Sequence, residues 1–279
     1  MSFAGTVYGR RVRIGGEWFD SITEEAVADR VLSALAEGRG GRIITPNVDI
    51  LRMVSSRGRI GAEARGFVAD ATLVVADGMP LVWASKLLGT PLPERVTGSA
   101  LIWTLSAALG RVHRSAYVLG GHPVPAQRSS TEDDVVQHVA DGSELCAAAL
   151  AASCPGLEIA GHYAPPFGFD RDPSTYADVI MRVADTKPDL VFVGLGFPKQ
   201  ERVISDLRHE LPETWFLGCG SAVGFVAGEN RRAPFWMQRS GLEWAHRLAQ
   251  EPGRLAGRYL AHDAPYAVKL LAFSAVRRR

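Results

Sequence analysis

The sequence is poor in the residues that anchor metals, disulfides and membrane spans. Its three cysteines, Cys146, Cys154 and Cys219, show no metal-ligand spacing. Its seven histidines form no HExxH or related pattern, so no zinc site is expected. The opening stretch MSFAGTVYGRRVRIGG lacks the apolar core of a signal peptide. With an odd cysteine count, that points to a reducing compartment. No run reaches the roughly 18 apolar residues of a membrane span. A net charge of +1 and a pI near 7.8 give no global reason to expect a nucleic-acid partner. A P-loop, a GxSxG elbow and a complete GxGxxG with a following acid are missing, and no obvious DxD metal site is expected.

What is present is enough apolar residue, 47% of 279, to bury a large core. Short apolar runs end in turn residues: Arg42–Thr45 before Pro46-Asn47, Thr72–Ala76 before Asp77-Gly78, and Ser115–Leu119 before Gly120-Gly121. Leu190–Val193 before Gly194 and Thr214–Leu217 before Gly218 repeat the form. Such runs read as buried parallel strands. Helical spacing follows or separates them at Thr23–Glu37, Gly98–Leu109, Ser174–Asp185 and Lys199–Leu211. The alternation predicts an α/β fold, a Rossmann-like, mostly parallel sheet flanked by helices. Pro123–Gly156 is Ala-rich and weakly patterned, and is expected to be a mobile excursion with no core role.

From Glu229 the strand signals stop, and the chain becomes basic and helical in pattern, with breaks expected near Pro234, Pro252 and Pro265. Ten Lys or Arg against four acids give this stretch a net charge of +6, leaving −5 on residues 1–228. The expected division is therefore a catalytic domain over 1–228 and a basic appendage over 229–279. A basic tail on an acidic body calls for an anionic partner: phosphate, diphosphate or membrane. Ala267–Val276, followed by three arginines, has the form of an interfacial helix. A helix packed on a second copy of the chain would carry the same pattern.

Ligands of open parallel sheets bind beyond the carboxyl ends of the strands. Asp77 stands there, before a glycine that can take positive φ, and can act as a general base or simply form an Asp-Gly turn. Thr45 and Asn47 can bond a sugar or cap a helix. In Gly194-Leu195-Gly196-Phe197-Pro198-Lys199-Gln200-Glu201, Gly194 and Gly196 permit close backbone approach. Helix-start amides after Pro198 can meet a phosphate, with Lys199 and Gln200 beside them. Arg95 can clamp a diphosphate or pair with Glu94. Arg232, Arg247 and Arg254 in the tail suit a diphosphate or lipid headgroups, or ion pairs with Glu243 and Glu251 on their own helix.

Taken in order, these segments resemble the WecG/TagA/CpsF glycosyltransferases (glycosyltransferase family 26). The matching pieces are Thr45-Pro46-Asn47, Val75-Ala76-Asp77-Gly78, Glu94–Gly98, Leu119-Gly120-Gly121, Cys154–Gly161, Gly194–Glu201, Arg232-Ala233-Pro234 and Gly241–Pro252 with Arg254. The likeness covers roughly residues 40–260. It implies a GT-E-like Rossmann body with a basic helical appendage at the inner face of the cytoplasmic membrane. It implies transfer of N-acetylmannosamine, glucose or a related sugar from a UDP-sugar to an undecaprenyl-diphosphate-linked acceptor, for teichoic acid or other surface polysaccharides. Asp77 then looks like the base, Thr45 and Asn47 like site contacts, and Arg95 and Gln200 like donor or pyrophosphate contacts. Arg232, Arg247 and Arg254 look like completing arginines, with no metal or other cofactor expected. One step departs from the family: Gly220-Ser221-Ala222-Val223-Gly224-Phe225 lacks the usual Phe-Asp pair, which bears on donor-sugar specificity.

Two other readings compete. A non-catalytic nucleotide-sugar-binding paralogue would explain the departure at Val223-Gly224. A dinucleotide enzyme is disfavoured by the incomplete GxGxxG.

Overall fold

The computed structural model describes residues 9–123, 140–229, 232–234, 236–237 and 241–277, with the Arg254 side chain outside that set. Residues 124–139 of the expected excursion, together with Arg231, Arg278 and Arg279, also lie outside it. Six parallel strands form the sheet in the order β4-β3-β8-β7-β5-β6, with helices on its faces, the α/β architecture expected of the alternating pattern. The chain forms two compact units, and residues 232–279 belong to the first, with residues 1–31 and 42–101.

The first unit opens with a hairpin, β1 (Arg11–Ile14) and β2 (Glu17–Asp20), closed by Gly15 and Gly16 at φ +61° and +99°. Two consecutive positive-φ residues make the turn whose twist matches paired strands. Buried Asp20 accepts from the Val74 amide (2.8 Å) and pairs with Arg11 (3.0 Å). It thereby ties the hairpin to β4 (Leu73–Val74). β4 lies parallel to β3 (Gly41–Ile44). Backbone bonds continue beyond the strand, from Val75 N to Ile44 O and from Asp77 N to Pro46 O, both 3.0 Å. Helix α1 (Glu24–Ala36) begins where Glu94 Oε1 accepts from the Glu24 amide. Glu94 is therefore engaged with a helix start, where a carboxylate is favoured.

Much of the C-terminal stretch of this unit is helical, with a break at Glu251 before Pro252 as expected and helical backbone continuing through Pro265. Pro252 and Pro265 sit in the first turns of Pro252–Ala256 and Ala264–Val276, where a missing N–H costs nothing. Between them Gly257–Asp263 is a π-helical turn. Ala264–Val276 packs on Met79–Leu87 and Val48–Val54. Leu270 and Ser274 are buried, and the Tyr266 hydroxyl lies 2.7 Å from Ser55 Oγ. A charge cluster adds to the attachment: Arg52 bonds Asp49 (2.6 Å) and Asp263 (3.3 Å), and Arg258 lies near both acids (3.7 and 3.8 Å). Val268, Phe273 and Val276 point outward.

The second unit, residues 32–41 and 102–231, carries β5 (Ser115–Gly120), β6 (Glu158–Tyr163), β7 (Leu190–Gly194) and β8 (Trp215–Gly218). Apolar side chains of β5, β7 and β8 meet those of Pro173–Ala184 and Lys199–Glu210 in one core that includes Val179, Val191, Val193, Val203, Ile204, Leu207 and Phe216. Each such buried side chain contributes about 1.5–3 kcal/mol. The expectation of a coreless excursion fails for its second half. Gly142–Ser153 is a helix capped by Asp141, with Cys146, Ala147 and Leu150 buried. Its alanines are small enough for close packing against β5, β6 and Ala222–Val226, which the weak periodicity concealed.

Candidate active site

Asp77 is held by backbone geometry on both sides. Its amide bonds the Pro46 carbonyl, and Val96 N bonds Ala76 O at 3.1 Å. Three segments far apart in sequence, Thr45-Pro46-Asn47, Ala76-Asp77 and Arg95-Val96, are thereby drawn together. Gly78, at φ +121°, lets the chain leave the strand and start the helix Met79–Leu87. An L side chain rarely adopts that conformation, so the glycine is a requirement of the turn.

Thr45 is buried at the end of β3. Asn47 caps the helix Val48–Val54, its side-chain oxygen accepting from the Ile50 amide at 3.0 Å. That orientation leaves the Asn47 amide nitrogen as the group to offer a ligand.

Positive charge converges around Asp77. Arg95 Nη1 lies 3.1 Å from Glu243 Oε2, and Arg232 Nε lies 3.6 Å from Glu243 Oε1. Arg232 also donates to Ser99 O (3.4 Å), while its Nε is buried without a hydrogen bond among the described residues. Glu243 and Arg247 lie on the same face of the helix Glu243–Gln250, four residues apart. The field of Arg95, Arg247 and Arg232 pulls the Asp77 carboxyl down, and Glu243 pushes it up. Burial outweighs them all, and the carboxyl is pushed up to about 6. A carboxyl poised near neutrality, faced by three guanidinium groups, can take a proton while neighbouring positive charge steadies a departing anion.

Glu243 is the residue the sequence did not single out for the site. It was visible only as an acid in a basic helix; its link to Arg95 spans 148 positions of chain. The duller pairing of Arg95 with Glu94 does not hold, since Arg95 turns to Glu243 and Glu94 to the Glu24 amide.

In the second unit, the Gly194–Glu201 turn is built differently from expectation. A Cβ on Gly194 would meet Val223 Cγ2 at 2.5 Å and Gly220 O at 2.9 Å, so glycine is needed there for packing. Gly196 has φ +78° and open space around its Cα. The helix-start amides expected to be free for phosphate are used locally: Gln200 N bonds Gly196 O, and Glu201 N and Arg202 N bond Pro198 O. Gln200 is 4% exposed and points inward. Its oxygen accepts from the Gly220 amide and its nitrogen donates to Glu201 Oε1, both at 3.1 Å. It shapes the turn after β8. Lys199 pairs with Asp170 at 3.0 Å and lies over the Phe169 ring. Among the described residues, no group of three or more His, Cys, Asp or Glu is placed to hold a metal ion.

The family model described as "Glycosyl transferase WecG/TagA/CpsF family" matches residues 12–279. The chain belongs to that family. It is a glycosyltransferase, and the match runs through both units and the basic C-terminal helices. Among curated relatives of this transferase, one from Bacillus spizizenii (strain ATCC 23059 / NRRL B-14472 / W23) is 29% identical over 240 residues, covering 85% of this chain and 82% of the relative. One from Staphylococcus aureus (strain MW2) is 27% identical over 248 residues, 88% of this chain and 87% of the relative. One from Bacillus subtilis (strain 168) is 28% identical over 187 residues, 67% and 64% respectively. All three carry the name N-acetylglucosaminyldiphosphoundecaprenol N-acetyl-beta-D-mannosaminyltransferase.

Proposed function

We propose that this transferase moves an N-acetylmannosamine-like sugar from a UDP-sugar to an undecaprenyl-diphosphate-linked acceptor. The names of its relatives support the acceptor class and the sugar. One observation carries the chemistry: a carboxyl held near pH 6 at a strand end, facing Arg95, Arg232 and Arg247.

In this reading the acceptor hydroxyl gives its proton to Asp77 as its oxygen attacks the anomeric carbon. The bond from that carbon to the diphosphate oxygen breaks, and its electron pair leaves with UDP. The arginines stabilise the charge that builds on the diphosphate, a task a divalent metal performs in other enzymes. Thr45 and the Asn47 amide nitrogen orient the sugars. Arg254 belongs to the same basic stretch. Gln200 acts in this reading as a positioning residue, shaping the turn after β8 through Gly220, with Lys199 held beside it by Asp170.

We also place the enzyme at the inner face of the cytoplasmic membrane, held peripherally by its C-terminal helices. No described helix is long and apolar enough to cross a membrane. The outward Val268, Phe273 and Val276, with Lys269 and Arg277 among them, suit an anionic surface better than water.

Asp77→Asn tests the base. The amide keeps the shape but cannot accept the proton, so kcat should fall by ~10²-fold or more with UDP affinity nearly unchanged. Wild-type turnover in that variant would remove Asp77 from the role.

A further inference from the structure

Arg95 and Arg232 carry like charges and point at one place. An anion between them offsets their mutual repulsion. In this structure the anion is Glu243, which offers one oxygen to each guanidinium, at 3.1 and 3.6 Å. The glutamate and Arg95 side chains are each 15% exposed and Arg232 is 26% exposed, so the three charges are only weakly screened by water.

The pairing is incomplete in a telling way. Arg232 Nε is buried, has no hydrogen bond among the described residues, and stands 3.6 Å from the carboxylate. A buried guanidinium N–H left at that distance is costly, and a ligand oxygen that meets it recovers the cost. A single carboxylate has two oxygens and one charge, whereas a diphosphate offers more oxygens and more charge to the same arginines.

We infer that Glu243 is a resident counter-ion, competing with the substrate's diphosphate for Arg95 and Arg232 and reclaiming them when the nucleotide leaves. This rests on the proposed use of a nucleotide-diphosphate donor. Glu243 thereby sets two quantities at once. It weakens ground-state and product binding of the diphosphate, which keeps release fast. It also faces Asp77 together with Arg95, Arg232 and Arg247, and is the one negative group among those four. Its charge therefore holds the Asp77 proton more tightly. Glu243 is a positioning residue, acting through the arginines and through Asp77.

The test uses the full-length protein, UDP as probe and fixed salt. Calorimetric titration of Glu243→Gln should show UDP bound about 5- to 10-fold more tightly than by wild type, the size of a nearby-charge effect on a partly buried anion site. The acid limb of its pH–rate profile should move to lower pH, because burial, the main cause of the raised Asp77 value, remains but the added push of the Glu243 charge is gone. Glu243→Asp, which keeps the charge, should leave the acid limb in place; it serves as the second variant if the glutamine protein melts early. Unchanged or weaker UDP binding in Glu243→Gln, or an acid limb that moves with Glu243→Asp as far as with Glu243→Gln, overturns the inference. If wild type itself binds no UDP, the donor assignment fails instead, and the two failures are told apart in the same experiment.

Discussion

At the scale of single residues, the site costs stability. Asp77 stays protonated up to about pH 6, whereas in an unfolded chain it ionises near 3.8. The sign follows from linkage. A carboxyl whose folded value is raised penalises the folded state wherever the unfolded chain would be ionised. The penalty is absent well below 3.8, grows as pH rises to about 6, and is complete above it. Asp77→Asn removes it. The variant should therefore melt higher than wild type at pH 7.5, with the difference shrinking toward zero near pH 4, as followed by thermal denaturation. A variant that melts lower at pH 7.5 would mean Asp77 contributes net stability.

The same residues show what a sequence can reveal about a site. Arg95 stood out only as a basic residue in the link between Met79–Leu87 and Gly98–Arg111, while Asp77 and Asn47 were legible as candidates because each follows a strand end. Glu243 was not, because its meaning comes from two arginines at distant positions. Gln200 was legible as a candidate, but its contacts with Gly220 and Glu201 were not. Whether helix-start amides are free depends on which carbonyls the preceding turn presents, and here Gly196 and Pro198 present theirs.

At the scale of elements, apolar strands closed by glycine were read nearly to the residue, since full burial leaves little but Val, Ile, Leu and Phe. The hairpin Arg11–Asp20 was missed because its strands are short, charged and half-exposed. β6 (Glu158–Tyr163) was missed as well, since its side chains are partly exposed along most of its length. The C-terminal helix Ala264–Val276 is the element with two masters. Leu270, Tyr266 and the Arg52–Asp263 pair hold one face to the first unit, while Val268 and Phe273 are 67% and 58% exposed on the other. Deleting the helix would strip cover from Met79–Leu87, so surface substitution is the cleaner probe. Val268→Glu with Phe273→Glu should keep the fold and reduce co-sedimentation with vesicles containing anionic lipid by about 10-fold or more. Retained vesicle binding in the folded double variant would assign that face to another partner, such as a second copy of the chain.

At the scale of the whole molecule, the basic C-terminal stretch is charged oppositely to the rest of the chain and belongs to the unit that holds Asp77. The sequence divides by charge at residue 228, whereas the first compact unit joins residues 232–279 to residues 42–101. A linear reading sees a body and then a tail. Packing joins stretches that composition separates, because Leu270 is buried and Arg95 meets Glu243. Function follows that joining. Arg232, Glu243 and Arg247 come from the tail, and Asp77 and Arg95 from the body, yet in the proposed mechanism all five act on one proton and one departing anion.

The pH dependence of sugar transfer tests this most directly. Initial rates of kcat/KM would be followed for wild type between pH 4.5 and 8, with a UDP-sugar donor and a lipid-diphosphate-sugar acceptor. The account predicts that product formation rises tenfold per pH unit on the acid side and levels off near pH 6, where Asp77 loses its proton. A rate that is flat across that range, or an acid limb that survives unchanged in Asp77→Asn, would contradict it.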